Sequence, residues 1–379
     1  MDDGGVLTDV FLPMSERLSV NIGGRVDQCK ATMDRNDPVV TQFTDPNEFY
    51  FMPGYDEPSR TLGMAYASGK LKLTEYHALN LGVGYAMRPP DLAELYSDDP
   101  YVPIARFGNS YASGVSNLAA ERNLQVDFGI TSQRKMFRYG ARGFYATIRD
   151  YITPVPAFID PTAPSFIDAP KVMGRDFQYF PPQWRTDLGT TNVNADTCQA
   201  GYLYTNIDLA VLYGGDLFGE VQLTDRFSVF GSMSYTRGVN CTPVVYVDSG
   251  SFVVKDGKFV PIGHAEGVLG MYPFNGTLGV RLVEPEKDRW GVEFSSQMVA
   301  RHTYVAESLS ELTNPGFATF DLRGYYRLRE RIRLTLAIEN LLNKDYAEPG
   351  SLVIAGPSGT PTFVKEPGTT AILGLDAHF

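Results

Sequence analysis

The sequence predicts an all-β protein: an antiparallel, up-and-down transmembrane β-barrel, represented by about 13 strands. Three observations predict it. Apolar and polar residues alternate with period two, as where Ile332, Leu334, Leu336 and Ile338 interleave with Arg333, Thr335, Ala337 and Glu339. Connections alternate between short charged turns and long loops along the whole chain. The last strand, with Ala371, Leu373, Leu375 and Ala377 on one face, stops on the aromatic Phe379, an unusual ending for a soluble sheet.

The elements follow in order. Val6 to Leu12 reads as a strand closed by Pro13 to Arg17, and Leu18 to Val26 as its partner. A polar stretch runs to about Arg60. Thr61 to Ser68 returns, and a tight connection near Gly69 and Lys70 leads to a strand ending in Leu79, Leu81, Val83, Tyr85 and Met87. Arg88 to Arg122 is a second long loop, then Leu124, Val126, Phe128 and Ile130 share a face. Arg134-Lys135-Met136 turns into Phe137 to Ile152. After a proline-rich loop, roughly Thr153 to Tyr204, Asp208 to Leu223 descends, Thr224-Asp225-Arg226 turns, and Phe227 to Arg237 rises. The loop Gly238 to His264 precedes a descent through Leu278, Val280 and Leu282. Glu284 to Asp288 turns into Trp290, Val292, Phe294 and Met298. The loop Tyr304 to Pro315 leads to Ala318, Phe320 and Leu322. Leu328-Arg329-Glu330 is hairpin spacing before the next strand, and the loop Leu342 to Pro367 precedes the last. In a meander, alternate connections share an end, so short turns collect at one rim and long loops at the other. Repeated spans of about ten residues suit a tilted membrane strand better than a soluble one.

Composition agrees. Tyr 22 and Phe 23 against Trp 2 favour strands and membrane interfaces, while Gly 37 and Pro 25 supply turns. A net charge of −11 excludes a nucleic-acid partner, there being no basic stripe to neutralise phosphates. No run has the length of a transmembrane helix, so a membrane location requires a closed barrel. The mean hydropathy of −0.16 fits strands that are apolar on one face only. Of the three cysteines, Cys29 lies at a strand end. Cys198 and Cys241 fall in successive long loops and are expected to pair in a disulfide.

Asn314-Pro315-Gly316-Phe317, Asp321-Leu322-Arg323, Ile338-Glu339-Asn340-Leu341-Leu342-Asn343-Lys344-Asp345-Tyr346 and the terminal Phe379 resemble the end of a TonB-dependent outer-membrane receptor. Gly84-Tyr85-Ala86-Met87-Arg88-Pro89-Pro90-Asp91-Leu92-Ala93-Glu94-Leu95-Tyr96 resembles that family's mid-barrel motif, and Ser15 to Leu18 with Gly24 to Asp27 also fits. The resemblance, from near residue 6 to the end, makes residues 1–379 the C-terminal portion of the receptor barrel, with no plug domain. It implies a barrel of about 22 strands, an N-terminal plug and a cell outer-membrane location. It implies uptake of a scarce nutrient, an iron–siderophore chelate or cobalamin, driven by an inner-membrane TonB energy-coupling complex. Met1-Asp2-Asp3-Gly4-Gly5 has no signal-peptide core. The expectation is therefore that a signal peptide, a plug and about nine strands are encoded upstream. A passive outer-membrane pore or adhesin-type barrel without a plug, and a soluble β-protein, remain as alternatives.

No residues nominate an enzyme, a cofactor or a metal site. His77, His264, His302 and His378 are scattered and read as lumen or loop residues. Gly82-Val83-Gly84 lacks a third glycine and a following helix, so it belongs to a strand. Asp98-Asp99 lies in a loop and reads as solvated. Loops on a rigid scaffold carry recognition. Tyr96, Tyr101, Phe107 and Tyr111 in one loop, and Tyr179, Phe180 and Trp184 in the next, are the candidate contacts for a small-molecule or metal-chelate ligand. Packing between loops or an interfacial girdle is the simpler reading of the same aromatics. The lumen charges Arg25, Asp27, Asp127, Glu220, Arg281, Glu293, Asp321, Arg323, Arg333 and Glu339 are expected to pair across the wall or to meet a plug.

Overall fold

The computed structural model describes residues 2–31, 58–96, 98–100, 111–113, 117–156, 171–172, 175–176, 201–242, 252–255, 258–261, 264–309, 311–329, 331–351, 353–355 and 361–377. Thirteen strands form one meander: β1 (Asp2–Pro13), β2 (Leu18–Lys30), β3 (Ser59–Lys72), β4 (His77–Arg88), β5 (Glu121–Gln133), β6 (Phe137–Pro156), β7 (Gly201–Gln222), β8 (Phe227–Asn240), β9 (Asn275–Val283), β10 (Trp290–Val299), β11 (Phe317–Arg329), β12 (Ile332–Glu339) and β13 (Thr370–Ala377). Each pairs antiparallel with its sequence neighbours, so the expected up-and-down order and strand number hold. Most strands run longer than the alternation alone marks out. β6 has 20 residues and β7 has 22, extending well past Ile152 and Asp208. Gly238, read as the start of a loop, lies inside β8. The long-loop rim also carries the short helix α1 (Leu92–Tyr96).

Register sorts the side chains into two faces. Val26, Gly63, Tyr85, Leu124, Tyr145, Tyr213, Met233, Leu278, Phe294, Leu322, Ile338 and Ala371 sit at positions of one apolar face. Among the described residues no layer covers that face: Val6 is 79% exposed, Leu81 62% and Leu373 78%. A soluble sandwich would bury such residues against a second sheet. The opposite face carries the charges expected of a lumen, and they pair both across strands and along single strands. Arg281 faces Glu293 at 2.9 Å and Glu220 at 3.5 Å, and Glu220 also receives Arg138. Arg142 meets Asp216 at 2.8 Å, Arg25 meets Asp27 at 2.7 Å, and Arg323 lies between Glu339 at 3.1 Å and Asp321 at 3.4 Å. Asp127 accepts from Gln125 at 2.8 Å, and Arg333 stacks 4.1 Å over the Tyr325 ring.

The short-turn rim is set by hydroxyl chemistry. Ser15, Thr74 and Thr224 each open a turn whose side-chain oxygen accepts the amides two and three residues on. The backbone N–H of each also donates three residues ahead, to Leu18, His77 and Phe227. Ser and Thr hydroxyls mimic a backbone turn in this way. Thr74 therefore moves the connection expected near Gly69 and Lys70 four residues along, to Leu73–Tyr76, while Gly69 and Lys70 stay in β3. His77, read as a lumen or loop residue, stands at the start of β4 with Nδ1 beside the Thr74 hydroxyl at 2.9 Å. Gly82-Val83-Gly84 lies within β4, as expected of a strand feature.

Candidate functional site at the long-loop rim

At the opposite rim the roots of the long loops are tied to one another. Arg88 ends β4, and Pro89-Pro90 cannot continue the ladder, so the chain leaves the sheet there. Asp91 and Glu94 form a reciprocal N-cap on α1: the Glu94 N–H donates to Asp91 Oδ1 at 2.7 Å and the Asp91 N–H to Glu94 Oε2 at 2.8 Å. The Arg88 guanidinium grips Glu94 through two nitrogens at 2.9 and 3.0 Å, and its Nε donates to Glu121 at 2.6 Å. Glu121 in turn accepts the Ile152 N–H of β6 at 2.8 Å. One arginine thus joins β4, α1, β5 and β6.

The next tie is Asn206 of β7. Its Nδ2 donates to the carbonyls of Ala119 and Asp150, and its Oδ1 accepts the Ala119 N–H at 2.8 Å. Further on, Glu266 is 2% exposed. It accepts the Ser308 N–H at 2.7 Å and the Ser308 hydroxyl at 2.6 Å. Burial is the main cause holding its carboxyl above the ordinary range, and the Ser308 hydrogen bonds oppose it. Glu311 accepts the amides of Gly270 at 3.0 Å and Ala306 at 2.7 Å, with the buried His302 ring 3.6 Å away. Val268 and Met271 fold back onto β7 and β8, where only glycine fits: a Cβ on Gly238 would lie 2.8 Å from Val268.

The Glu-Asn-Leu segment closes the rim. Asn340 adopts a left-handed φ of 50°, which asparagine tolerates better than most residues. Its side chain bridges the N–H and carbonyl of Lys344 at 2.7 and 2.8 Å, and its own N–H donates to Asp321 at 3.0 Å. The Phe317 and Tyr346 rings pack against each other, tilted by 34° with centroids 4.1 Å apart. Asn314, 1% exposed, donates to the Ala347 carbonyl at 2.9 Å and accepts the Gly316 N–H. The quoted motifs therefore fasten loops to strands.

The aromatic candidates distribute unevenly. Tyr96 ends α1 and is partly exposed at this rim. The backbone of Tyr111 lies in the short strand Tyr111–Ser113, which pairs parallel with Gly201–Leu203 of β7 and antiparallel with Asp98–Pro100. Asp98 and Asp99, expected in a loop, are thus in a strand. Tyr101, Phe107, Tyr179, Phe180 and Trp184 lie outside the described residues, as does Cys198. Among the described residues, Cys29 and Cys241 form no disulfide. The networks of Arg88, Glu266 and Glu311 were not anticipated. Asp91-x-x-Glu94 after a proline pair was a readable capping signal, whereas Glu266 and Ser308 are 42 residues apart.

The family model for the TonB dependent receptor-like β-barrel matches residues 8–341. No curated relative matches. Among solved structures, the copper transporter OprC aligns with a TM-score of 0.67 at 19% identity, over 99% of this chain and 47% of that one. The FrpB iron transporter from Neisseria meningitidis aligns with a TM-score of 0.61 at 12% identity, over 99% and 45%. A mutant of the ferric enterobactin receptor PfeA from Pseudomonas aeruginosa aligns with a TM-score of 0.54 at 16% identity, over 100% and 54%. The chain thus spans about half the length of the structures it matches.

Proposed function

This chain belongs to the TonB-dependent receptor-like β-barrel family, and from that premise we propose that it walls an outer-membrane receptor importing a metal ion or metal chelate. The structural relatives are a copper transporter, an iron transporter and a ferric enterobactin receptor, which supports that cargo class, with an iron–siderophore chelate or cobalamin as the bulky form. Energy would come from the inner-membrane TonB complex acting through the N-terminal region of the receptor.

The observation that carries this reading is the division of the sheet into an uncovered apolar face and a charged face whose ions pair with one another. A wide water-filled lumen tolerates such charges, and the tied loop roots hold one rim of it. The long loops rising from that rim would hold the cargo, with Tyr96, Tyr101, Phe107, Tyr111, Tyr179, Phe180 and Trp184 as proposed stacking contacts.

The test is uptake by cells making the full-length protein, using radiolabelled ferric chelates, copper and cobalamin at limiting concentration. Saturable accumulation abolished by a protonophore is expected for at least one of them. Uptake that is unsaturable and indifferent to the protonophore would favour the passive pore or adhesin-type barrel instead.

A further inference from the structure

The apolar face carries very few charges, and their placement is one-sided. Among the described side chains of the strands, its charged positions are Lys30, Arg122, Arg149 and Arg237, all toward the long loops, plus Arg329 beside the β11–β12 turn. Arg122 and Arg149 are direct cross-strand partners in β5 and β6. Two like charges opposite each other destabilise a strand pair unless an anion intervenes. Arg122 has one: Asp150, at a left-handed φ of 53°, takes its Nε at 2.7 Å. Arg149 is exposed and has no ion-pair partner among the described residues.

The height of the pair is informative. From Phe137, at the short-turn start of β6, to Arg149 is 12 residues. At about 3.3 Å per residue and a tilt near 45° that is roughly 28 Å along the membrane normal. The hydrocarbon band of such barrels is about 25 Å tall. Tyr145 and Tyr213 pair with each other four residues lower on β6, toward the level of an aromatic girdle. The arginines therefore stand at headgroup level, facing outward, with one more positive charge than Asp150 neutralises.

We propose that Arg122 and Arg149 form a binding site for the phosphate of an anionic lipid in the leaflet on the long-loop side. Guanidinium groups bind phosphate bidentately, and Tyr145 and Tyr213 would lie against the top of the acyl chains. The inference rests on the membrane-spanning reading above, so heat-modifiable gel mobility is checked first, and its absence would count against that reading, not against this site.

The experiment is native mass spectrometry of the full-length protein in detergent, titrated with dioleoylphosphatidic acid or dioleoylphosphatidylcholine. The wild type is expected to retain phosphatidic acid preferentially. Arg149→Gln should weaken retention about fivefold, and the double variant Arg122→Gln/Arg149→Gln further. Arg149→Lys, which keeps the charge, should recover part of the loss. A double variant with wild-type mobility and undiminished phosphatidic acid binding would overturn the proposal. So would equal retention of the two lipids, or an equal loss from Arg142→Gln on the lumen face.

Discussion

The residues that matter most at the rim are held in forms that ordinary solution chemistry disfavours. Asn340 is one, placed left-handed with its side chain bonded to both the N–H and the carbonyl of Lys344. Replacing it with alanine loses those hydrogen bonds and leaves a Cβ residue in a region costing about 1–2 kcal/mol. Asn340→Ala is expected to destabilise the folded protein by roughly 2–3 kcal/mol in urea titrations, and Asn340→Gly by less. Equal losses would show that the side-chain bonds, not the backbone, dominate. Glu266 is another. Its pKa is raised in the fold, so the folded state binds more protons than the unfolded one between the ordinary and the raised value. Stability from this group is therefore greatest below the ordinary carboxylate range and declines as pH rises through the raised pKa. Hydrogen exchange at Ser308 is expected to show that slope, and Glu266→Gln to flatten it. His264 and Glu307 also face this carboxylate and act in opposite directions on it, so each needs its own control variant.

At the scale of the element, the question is which face of a strand meets lipid. In β10, Phe294 stacks 5.8 Å from Phe320 on the apolar face, while Gln297 stands on the charged one. Phe294→Arg should cost roughly 2–4 kcal/mol if it lies near the bilayer midplane, and Gln297→Arg far less. Insertion yield and heat-modifiable mobility would separate them, and equal tolerance would remove the assignment of faces. Alternation makes this much legible in the sequence: the two faces, the strand order and the number of strands follow from period two and loop rhythm. The misplaced turn at Gly69 and Lys70 has a definite cause. Lys70, Leu71 and Lys72 still alternate, and what stops the strand is a hydroxyl at Thr74, a local hydrogen bond that composition does not weigh. The rim was legible only as motifs. Glu266 with Ser308, and Asn206 with Ala119, are joined across 42 and 87 residues, distances over which spacing carries no signal.

At the scale of the whole molecule, the thirteen strands leave two edges. β1 pairs only with β2 and β13 only with β12 among the described residues. In an up-and-down meander strand direction alternates, so the first and thirteenth run the same way, and they could close on each other only by a parallel ladder. Every pairing among the thirteen strands is antiparallel. Each edge presents backbone groups over 12 and 8 residues respectively, and unpaired groups in hydrocarbon cost several kcal/mol each. The ion pairs across the inner face do not offset this, because they lie within the wall and add nothing at its margins. Expressed by themselves with a signal sequence, these 379 residues are therefore expected to be degraded or recovered as aggregate. Within the full-length protein the same strands should show the heat-modifiable mobility of a closed barrel. Supplying the remaining strands as a separate co-expressed polypeptide should rescue insertion if open edges are the cause. A stable, heat-modifiable product from the 379 residues alone would mean that β1 and β13 do pair, and that the parallel seam is tolerated after all.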